Sequence, residues 1–142
     1  MKRVMILGAL LIMAGCVPPP PPAPPPAPPV AAPAPVMFTV YFAWNRAWIG
    51  PEGWAILQQA ADVYKSGGHA TVQITGYTDT TGEAGYNQRL SERRAGHVAW
   101  ALAHLGVPQT AMTVIGRGES DLAVPTPQGV PDARNRRVTI VE

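Results

Sequence analysis

The sequence predicts an α/β domain in which two main helices pack on one four-stranded sheet. Four short segments rich in β-branched and aromatic residues alternate with two longer segments of helical periodicity, and glycine or proline marks most boundaries. The resulting order is β-α-β-α-β-loop-β, without the glycine fingerprint of a dinucleotide-binding fold. About 105 residues carry this pattern, which is enough for one modest hydrophobic core.

The first half of the domain contains a strand, a helix and a second strand. Phe38 to Trp44 is dense in aromatic and β-branched residues, which predicts a strand that is buried on both faces. Pro51 suits the first turn of a helix and Gly67 suits its end, so we expect a helix between them. Residues 70–76 alternate in polarity as a strand does. The helix carries apolar residues at helical spacing: Trp54, Ile56, Leu57, Ala60, Ala61 and Tyr64.

The second half contains a long helix and two strands. The helix is predicted from about Glu83 to Leu105, because glycine and proline follow. Met112 to Ile115 is predicted to be the third strand. Residues 121–133 carry three prolines and a glycine, so we expect a loop with room for one helical turn. Arg137 to Val141 is predicted to be the last strand.

Residues 1–15 are predicted to be an export signal of the lipoprotein type. Lys2 and Arg3 precede a short apolar run, and small residues then lead to Cys16. Ten or so apolar residues span about 15 Å as a helix, so a retained membrane anchor is the weaker interpretation.

Cys16 is the one cysteine of the chain, and its position after Leu-Ile-Met-Ala-Gly resembles a bacterial lipobox. The resemblance implies cleavage before Cys16 and lipid on its thiol. An ordinary signal peptide is the alternative. Because no aspartate follows Cys16, the resemblance favours the outer membrane, with the domain facing the periplasm.

Residues 16–36 are predicted to link this cysteine to the domain. Pro18 to Val36 holds twelve prolines among alanine and valine, so most backbone φ angles are fixed and few amide donors remain. Polyproline II is the expected conformation, which gives a semi-rigid spacer of about 50 to 60 Å. A ligand for a proline-recognition domain is the alternative.

The charge of the chain argues against a nucleic-acid partner. The formal net charge is +2, but Lys2 and Arg3 belong to the predicted export signal. Without them nine basic side chains face nine acidic ones. There is then no basic surplus to neutralise phosphates, so neither DNA nor RNA is an expected partner.

Candidate ligand-binding residues cluster between Gly76 and Ala95. Asp79 follows the second strand in a turn rich in glycine and threonine. On the second helix, Arg94 lies at the shoulder of the apolar stripe, whereas Arg93 points towards solvent. A guanidinium aimed at the protein body is costly when unpaired, so Arg94 should have a fixed anionic partner or a ligand carboxylate.

An acid and a base this close predict a ligand with both an ammonium and a carboxylate group. Two alternatives need no ligand. Asp79 could bond only the amides of its own turn, or Asp79 and Arg94 could form a salt bridge with each other.

Five segments of the chain, in order and spacing, closely resemble the OmpA-like peptidoglycan-binding domain: VYFAW, GYTDTTG, YNQRLSERRAGHV, GRGESD and NRRVTIV. The likeness covers essentially all of residues 38–142. It implies an OmpA-like βαβαβ(α)β sandwich over residues 37–142, in which two main helices pack on one mixed four-stranded sheet. It also implies noncovalent binding of peptidoglycan, which would tether the outer membrane to the cell wall.

The resemblance implies that the ligand is the diaminopimelate residue of the stem peptide. Asp79 matches the family aspartate that takes the ligand ammonium, and Arg94 matches the arginine that takes its carboxylate. It further implies that Asn87 supports the site and that Thr78 shapes the turn. We expect Arg136 near the site and Arg137 in a structural position.

Three positions depart from the family pattern. Ala43 and Asn45 stand where relatives usually carry acids, and this change could reduce affinity. Tyr77 replaces the commoner histidine, which removes a group that titrates near neutral pH. None of these departures changes Asp79 or Arg94.

The remaining reactive side chains suggest neither catalysis nor metal binding. His97 and His104 lie on the polar side of the second helix, separated by a rise of about 10 Å, too far to share a metal easily. No Ser/His/Asp arrangement stands out, so we predict no enzyme, metal or cofactor. Trp100 faces away from the apolar stripe and either packs on a neighbouring loop or marks a partner surface.

Two alternatives to wall binding stay open. One is an interaction subunit of an envelope complex that keeps the fold but binds peptidoglycan weakly or not at all; Ala43 and Trp100 favour it. The other is a cell-wall hydrolase.

Overall fold

The computed structural model describes residues 34–67 and 71–142. Within them lie four strands, β1 (Met37–Tyr41), β2 (Val72–Gly76), β3 (Met112–Gly116) and β4 (Arg137–Val141). The helices are α1 (Pro51–Ser66) and α2 (Ala84–His104), with short 3-10 turns at Gln109–Ala111 and Ala133–Asn135.

The predicted element order and the two helices on a mixed four-stranded sheet are confirmed. The helical turn allowed in the long loop before β4 forms at its end, at Ala133–Asn135. The predicted export signal, Cys16 and most of the segment 18–36 lie outside the described residues. None of the helices in the described ranges has the length and apolarity needed to cross a bilayer.

The sheet has the strand order β1-β4-β2-β3. β4 runs antiparallel to both of its neighbours, and β2 pairs with β3 in parallel. Alternate strand residues point to one face and are completely buried against the helices, as expected for a sheet covered on one side. These core residues are Val40, Val72, Ile74, Val138 and Ile140.

β1 is shorter and more exposed than the sequence suggests. Met37 and Tyr41 are 66% and 58% exposed, whereas Val40 is completely buried. The prediction of a strand buried on both faces is wrong, because β1 is an edge strand of a sheet with helices on one face. The chain leaves the sheet after Tyr41, although Phe42 remains buried in the core.

α1 buries a narrower face than its apolar pattern predicts, and α2 buries a more polar one. α1 begins with Pro51 and buries Gly53, Leu57, Ala60 and Ala61, while Trp54 stays partly exposed. α2 buries an apolar stripe as predicted, and it also buries three polar residues, Asn87, Ser91 and Arg94. Polar groups inside a core need partners. The buried polar residues of α2 therefore indicate a preorganised polar site on this face of the helix.

Two glycines allow α2 to lie directly on the ends of β2 and β3. Gly76 and Gly116 face each other across these strands. A Cβ on Gly76 would lie 2.1 Å from the Ser91 carbonyl oxygen, and one on Gly116 would lie 2.4 Å from the Glu92 side chain. Only glycine permits this approach. It brings the first turns of α2 beside the turn that follows β2.

Candidate functional site

A cleft of about 140 Å³ opens where β1 and β2 end and where the chain enters β4. The loop after β1, the turn after β2 and the first turns of α2 form its walls. The structure brings together here all five residues that the sequence singled out for ligand binding: Thr78, Asp79, Asn87, Arg94 and Arg136.

Asp79 is buried, and both of its carboxylate oxygens have partners. Oδ1 accepts hydrogen bonds from the backbone N–H of Thr81 (3.3 Å) and from its hydroxyl (2.5 Å). Oδ2 lies 3.1 Å from Nη1 of Arg136 and forms a salt bridge with it. The turn contact considered from the sequence is therefore present. The Asp79–Arg94 salt bridge is not formed, because Arg136 takes that place.

Arg94 is completely buried and donates to three main-chain carbonyls instead of a carboxylate. Its Nε donates to Arg46 O at 2.8 Å, Nη1 to Tyr77 O at 2.8 Å and Nη2 to Ala43 O at 3.2 Å. The guanidinium also lies 5.2 Å from the ring centre of Phe42. Since a guanidinium has five N–H donors, one N–H remains on each terminal nitrogen.

The charge of Arg94 survives this burial. Desolvation lowers the pKa of Arg94 to about 10, while the nearby Asp79 carboxylate opposes that shift and Arg136 adds to it. The guanidinium is thus protonated at neutral pH. Its fixed partners are neutral carbonyls, so its positive charge is not cancelled by direct contact with an acid.

Arg136 lies beside Asp79 and, like Arg94, donates to a main-chain carbonyl in the segment that follows β1. Its Nε donates to Phe42 O at 3.1 Å, and its side chain is largely buried. Arg137 points elsewhere: it lies over the ring of Tyr77 at 3.9 Å and donates to the carbonyl of Asp121. The two neighbouring arginines therefore occupy the separate positions expected from the sequence.

Asn87 and Thr78 differ in how their polar groups are satisfied. Nδ2 of Asn87 donates to Thr81 O at 3.1 Å and to the Glu119 carboxylate at 2.6 Å. The backbone N–H of Thr78 donates to Gly118 O at 2.8 Å. The Thr78 hydroxyl is buried and has no hydrogen-bond partner among the residues described. It is a polar atom of the cleft that a ligand could satisfy.

Two side-chain hydrogen bonds cross from the loop after β1 to the opposite wall. Trp44 Nε1 donates to the Thr81 hydroxyl at 3.1 Å, and the Tyr86 hydroxyl donates to Asn45 Oδ1. Asn45 has a φ of 54°, a left-handed conformation that asparagine tolerates better than most residues. These bonds fix how far this loop stands from the turn after β2 and from α2.

The long loop before β4 holds the Asp79 turn from outside. The Thr80 hydroxyl donates to Pro127 O at 2.7 Å and lies 3.1 Å from Val130 O. Gln128 Nε2 donates back to the carbonyl of Thr80 at 3.0 Å. The backbone of the turn is therefore fixed before any ligand arrives.

Sequence reasoning missed several residues that build the cleft. Trp44, Thr81 and Tyr86 line it, and Glu119 anchors Asn87. Tyr86 and Glu119 stand in the motifs YNQRL and GRGESD, so their segments were visible but their contacts were not. A helical wheel places Tyr86 near the Leu90 side of α2, which was the available signal.

Residues 41–136 match the sequence model of the OmpA family. Outer membrane porin F of Pseudomonas fluorescens is 34% identical over 103 residues, which cover 72% of this chain and 32% of that protein. The chain spans only about a third to a half of the length of the curated relatives that it matches first.

Solved structures give a consistent picture. The peptidoglycan-associated lipoprotein from Burkholderia pseudomallei is 32% identical, with a TM-score of 0.67 over 72% of this chain and 87% of that one. The cell wall anchor of the T6SS from Pseudomonas aeruginosa is 28% identical, with a TM-score of 0.63 over 75% of this chain and 80% of that one.

Proposed function

The chain belongs to the OmpA family, and from that premise we propose that its domain binds peptidoglycan noncovalently through the diaminopimelate residue of the stem peptide. The side chain of diaminopimelate ends in one carbon that carries both an ammonium and a carboxylate. Asp79 takes the ammonium and Arg94 takes the carboxylate. The observation that carries the proposal is a buried acid and a buried guanidinium with unused N–H groups in one small cleft.

The charges and free donors of the cleft suit such a ligand. The cleft contains one carboxylate, Asp79, and two guanidinium groups, Arg94 and Arg136. These three groups carry a net positive charge, which favours binding of a ligand anion. The two N–H groups left on the terminal nitrogens of Arg94 could hold a carboxylate by charge-assisted hydrogen bonds. The ammonium would share the Asp79 carboxylate with Arg136. The unpartnered Thr78 hydroxyl offers a further contact.

The two missing acids do not remove the partners of Arg94. At position 43 the main-chain carbonyl makes the contact, so alanine serves as well as aspartate for that bond. At position 45 asparagine accepts the left-handed backbone and bonds Tyr86. This arrangement supports ligand binding despite the departures from the family pattern.

The similar proteins support the coarser part of the proposal, attachment to the cell wall in the bacterial envelope. Two of the structures compared above are a peptidoglycan-associated lipoprotein and a cell wall anchor. The OmpA family is not a family of enzymes, so the hydrolase alternative is set aside.

Cys16 and the segment 18–36 extend the proposal to a tether: lipid on Cys16 holds the chain in the outer membrane, and the proline-rich spacer lets the domain reach the wall. Acyl chains contribute about 0.8 kcal/mol per buried methylene, so several chains anchor stably. Cys16→Ser should abolish labelling by palmitate and remove the protein from the outer-membrane fraction. Unchanged palmitate labelling of this variant would contradict the lipid anchor.

Co-sedimentation of the full chain with purified sacculi tests the wall-binding step. We expect the protein to pellet with sacculi and free diaminopimelate to release it. Asp79→Asn keeps the shape of the side chain but removes its charge, and it should reduce pelleting about tenfold or more. Asp62→Asn is the matched control, because Asp62 lies exposed on α1 and pairs with Lys65 away from the cleft.

Two results would count against the proposal. If the Asp79→Asn variant pellets as well as the parent chain, the cleft is not the binding site. If the parent chain does not pellet at all, the domain does not bind the wall, and the interaction-subunit alternative takes its place.

A further inference from the structure

A second concavity, of about 690 Å³, lies beside the cleft. We call it the tryptophan groove after the three indoles that line it, Trp48, Trp54 and Trp100. They are 70%, 37% and 56% exposed. Exposed aromatic clusters of this kind mark interaction sites on soluble domains.

Two of the three indoles are held in a defined arrangement. The rings of Trp54 and Trp100 meet edge to face, with their centres 6.5 Å apart and their planes at 79°. The His104 ring lies 3.9 Å from Trp100, tilted by 41°, and so supports it. Trp100 therefore packs against α1 and α2 and still leaves more than half of its surface to solvent. The part of the groove formed by Trp54 and Trp100 is therefore preformed, and Trp48 completes it as the most exposed of the three indoles.

Polar groups that can form hydrogen bonds surround the indoles. Nδ1 of His97 is 2.6 Å from the carbonyl of Ala47, which leaves Nε2 free for a ligand. The side chains of Arg46 and Asn45 are exposed at the rim. Trp48 also borders a second, smaller groove and is 70% exposed, so much of its ring can be reached from solvent.

We propose that the tryptophan groove binds the sugar chain of peptidoglycan; the inference rests on the proposed function of the neighbouring cleft. A pyranose ring has a face of C–H bonds, which packs on an aromatic ring, and a rim of hydroxyl and amide groups, which needs hydrogen bonds. An aromatic surface edged by arginine, histidine and asparagine offers both. A purely hydrophobic partner would leave these polar groups desolvated without partners.

The cleft and the groove share one wall. Asn45 lines both of them, and the same loop carries Trp44 into the cleft and Trp48 into the groove. Arg94 fixes this loop by donating to the carbonyls of Ala43 and Arg46. Stem peptide and sugar chain are covalently joined in peptidoglycan, so a peptide held in the cleft brings sugar to this loop.

Binding by the full chain to two probes tests the proposal: free diaminopimelate, and peptide-free glycan strands released from sacculi by an amidase. We expect glycan strands to change the tryptophan fluorescence of the parent chain. Trp48→Ala should weaken glycan binding about tenfold, and Trp48→Phe, which keeps an aromatic face, should retain most of it. Val130→Ala changes an exposed apolar residue outside the groove and is the control.

The outcomes separate this inference from the proposed function. If Trp48→Ala loses glycan binding and keeps diaminopimelate binding, the groove is the sugar site. If the parent chain binds diaminopimelate but not glycan strands, the groove proposal is wrong and the cleft proposal stands. If it binds glycan strands but not diaminopimelate, the cleft proposal is wrong and the groove proposal stands.

Two further results would overturn the sugar assignment. The first is a mass that rises with protein concentration in the parent chain but not in Trp48→Ala, which would make the groove a contact between copies. The second is glycan binding that Trp48→Ala and Trp100→Ala both leave unchanged.

Discussion

The cleft and the tryptophan groove lie on either side of the same loop, yet they are built in opposite ways. In the cleft, charged groups are buried and nearly every polar atom has a partner. In the groove, three indoles stand in solvent with polar groups only at the rim. The cleft therefore depends on fixed hydrogen bonds, and the groove depends on exposed aromatic surface.

This difference predicts which substitutions affect both the stability of the fold and ligand binding, and which affect binding alone. Removing a buried, hydrogen-bonded group from the cleft should damage the fold as well as binding, because its partners are left desolvated. Removing the Trp48 indole from the groove should affect binding alone, because it is 70% exposed and little of its surface is buried by folding. Variants in the cleft, in the helix packing beside it and in the loop that joins it to the groove test this prediction.

The largest effect is expected for Arg94→Ala. The change leaves the carbonyls of Ala43, Arg46 and Tyr77 without their donor, and it opens a cavity in the core. We expect a loss of about 3 to 5 kcal/mol in the free energy of unfolding, measured by urea denaturation. Arg89→Ala, at an exposed position of the same helix, should stay within about 0.5 kcal/mol. A loss below about 1 kcal/mol for Arg94→Ala would contradict the view that the hydrogen bonds of the cleft also stabilise the fold.

Gly76→Ala should have the next largest effect, because the new methyl group would collide with the Ser91 carbonyl. The helix must move away from β2, which we expect to cost about 2 to 3 kcal/mol. The same change at Gly96 meets nothing within 4 Å and should stabilise α2 by about 1 kcal/mol. Denaturation of both variants checks the pair. Equal behaviour of the two would mean that close helix packing does not set the cleft.

Asn45→Ala tests the loop that both sites share. Alanine loses the bond from Tyr86 and is strained at a φ of 54°, so we expect a loss of about 1 to 2 kcal/mol. Asn45→Gly loses the same bond without the strain. The difference between the two melting temperatures measures the strain, and identical values would show that the loop relaxes instead.

The smallest effect concerns Asp132, which caps the turn leading to Arg136. Hydrogen bonds from Arg134 lower the pKa of Asp132 to about 2. Because the pKa falls on folding from an ordinary value of 3.8, the contribution is complete above about pH 4 and disappears as the pH falls through about 2. Asp132→Asn should lower the melting temperature slightly at pH 7, and the gap should close in acid. A constant gap would point to packing instead of charge.

The element order and the positions of α1, α2 and β4 could be predicted from the sequence, since periodicity and glycine or proline boundaries act locally. The mixed strand directions depend on long-range pairing and were predicted only through the family resemblance. The helical wheel also placed Arg94 correctly towards the protein body. It could not show that its partners are main-chain carbonyls 17, 48 and 51 positions earlier in the chain. It likewise could not show that Asp79 pairs with Arg136, 57 residues away.

The edge position of β1 was missed for a related reason. Phe38 to Trp44 is apolar enough for a central strand, and composition does not reveal which strand ends a sheet. The tryptophan groove was missed too, although Trp100 was placed outside the apolar stripe. The groove exists because Trp48 and Trp54 arrive from other elements, and only the folded chain brings them to Trp100.

The pairing of β1 with β4 has a mechanical consequence. The chain enters the domain at Val36, whose backbone already bonds Glu142, and β1 then runs directly to the loop that walls the cleft. A pull on Val36 that is resisted at the cleft acts along β1, parallel to the strand and across its hydrogen bonds to β4. Those bonds then bear the load in shear, all together, instead of being peeled apart one after another.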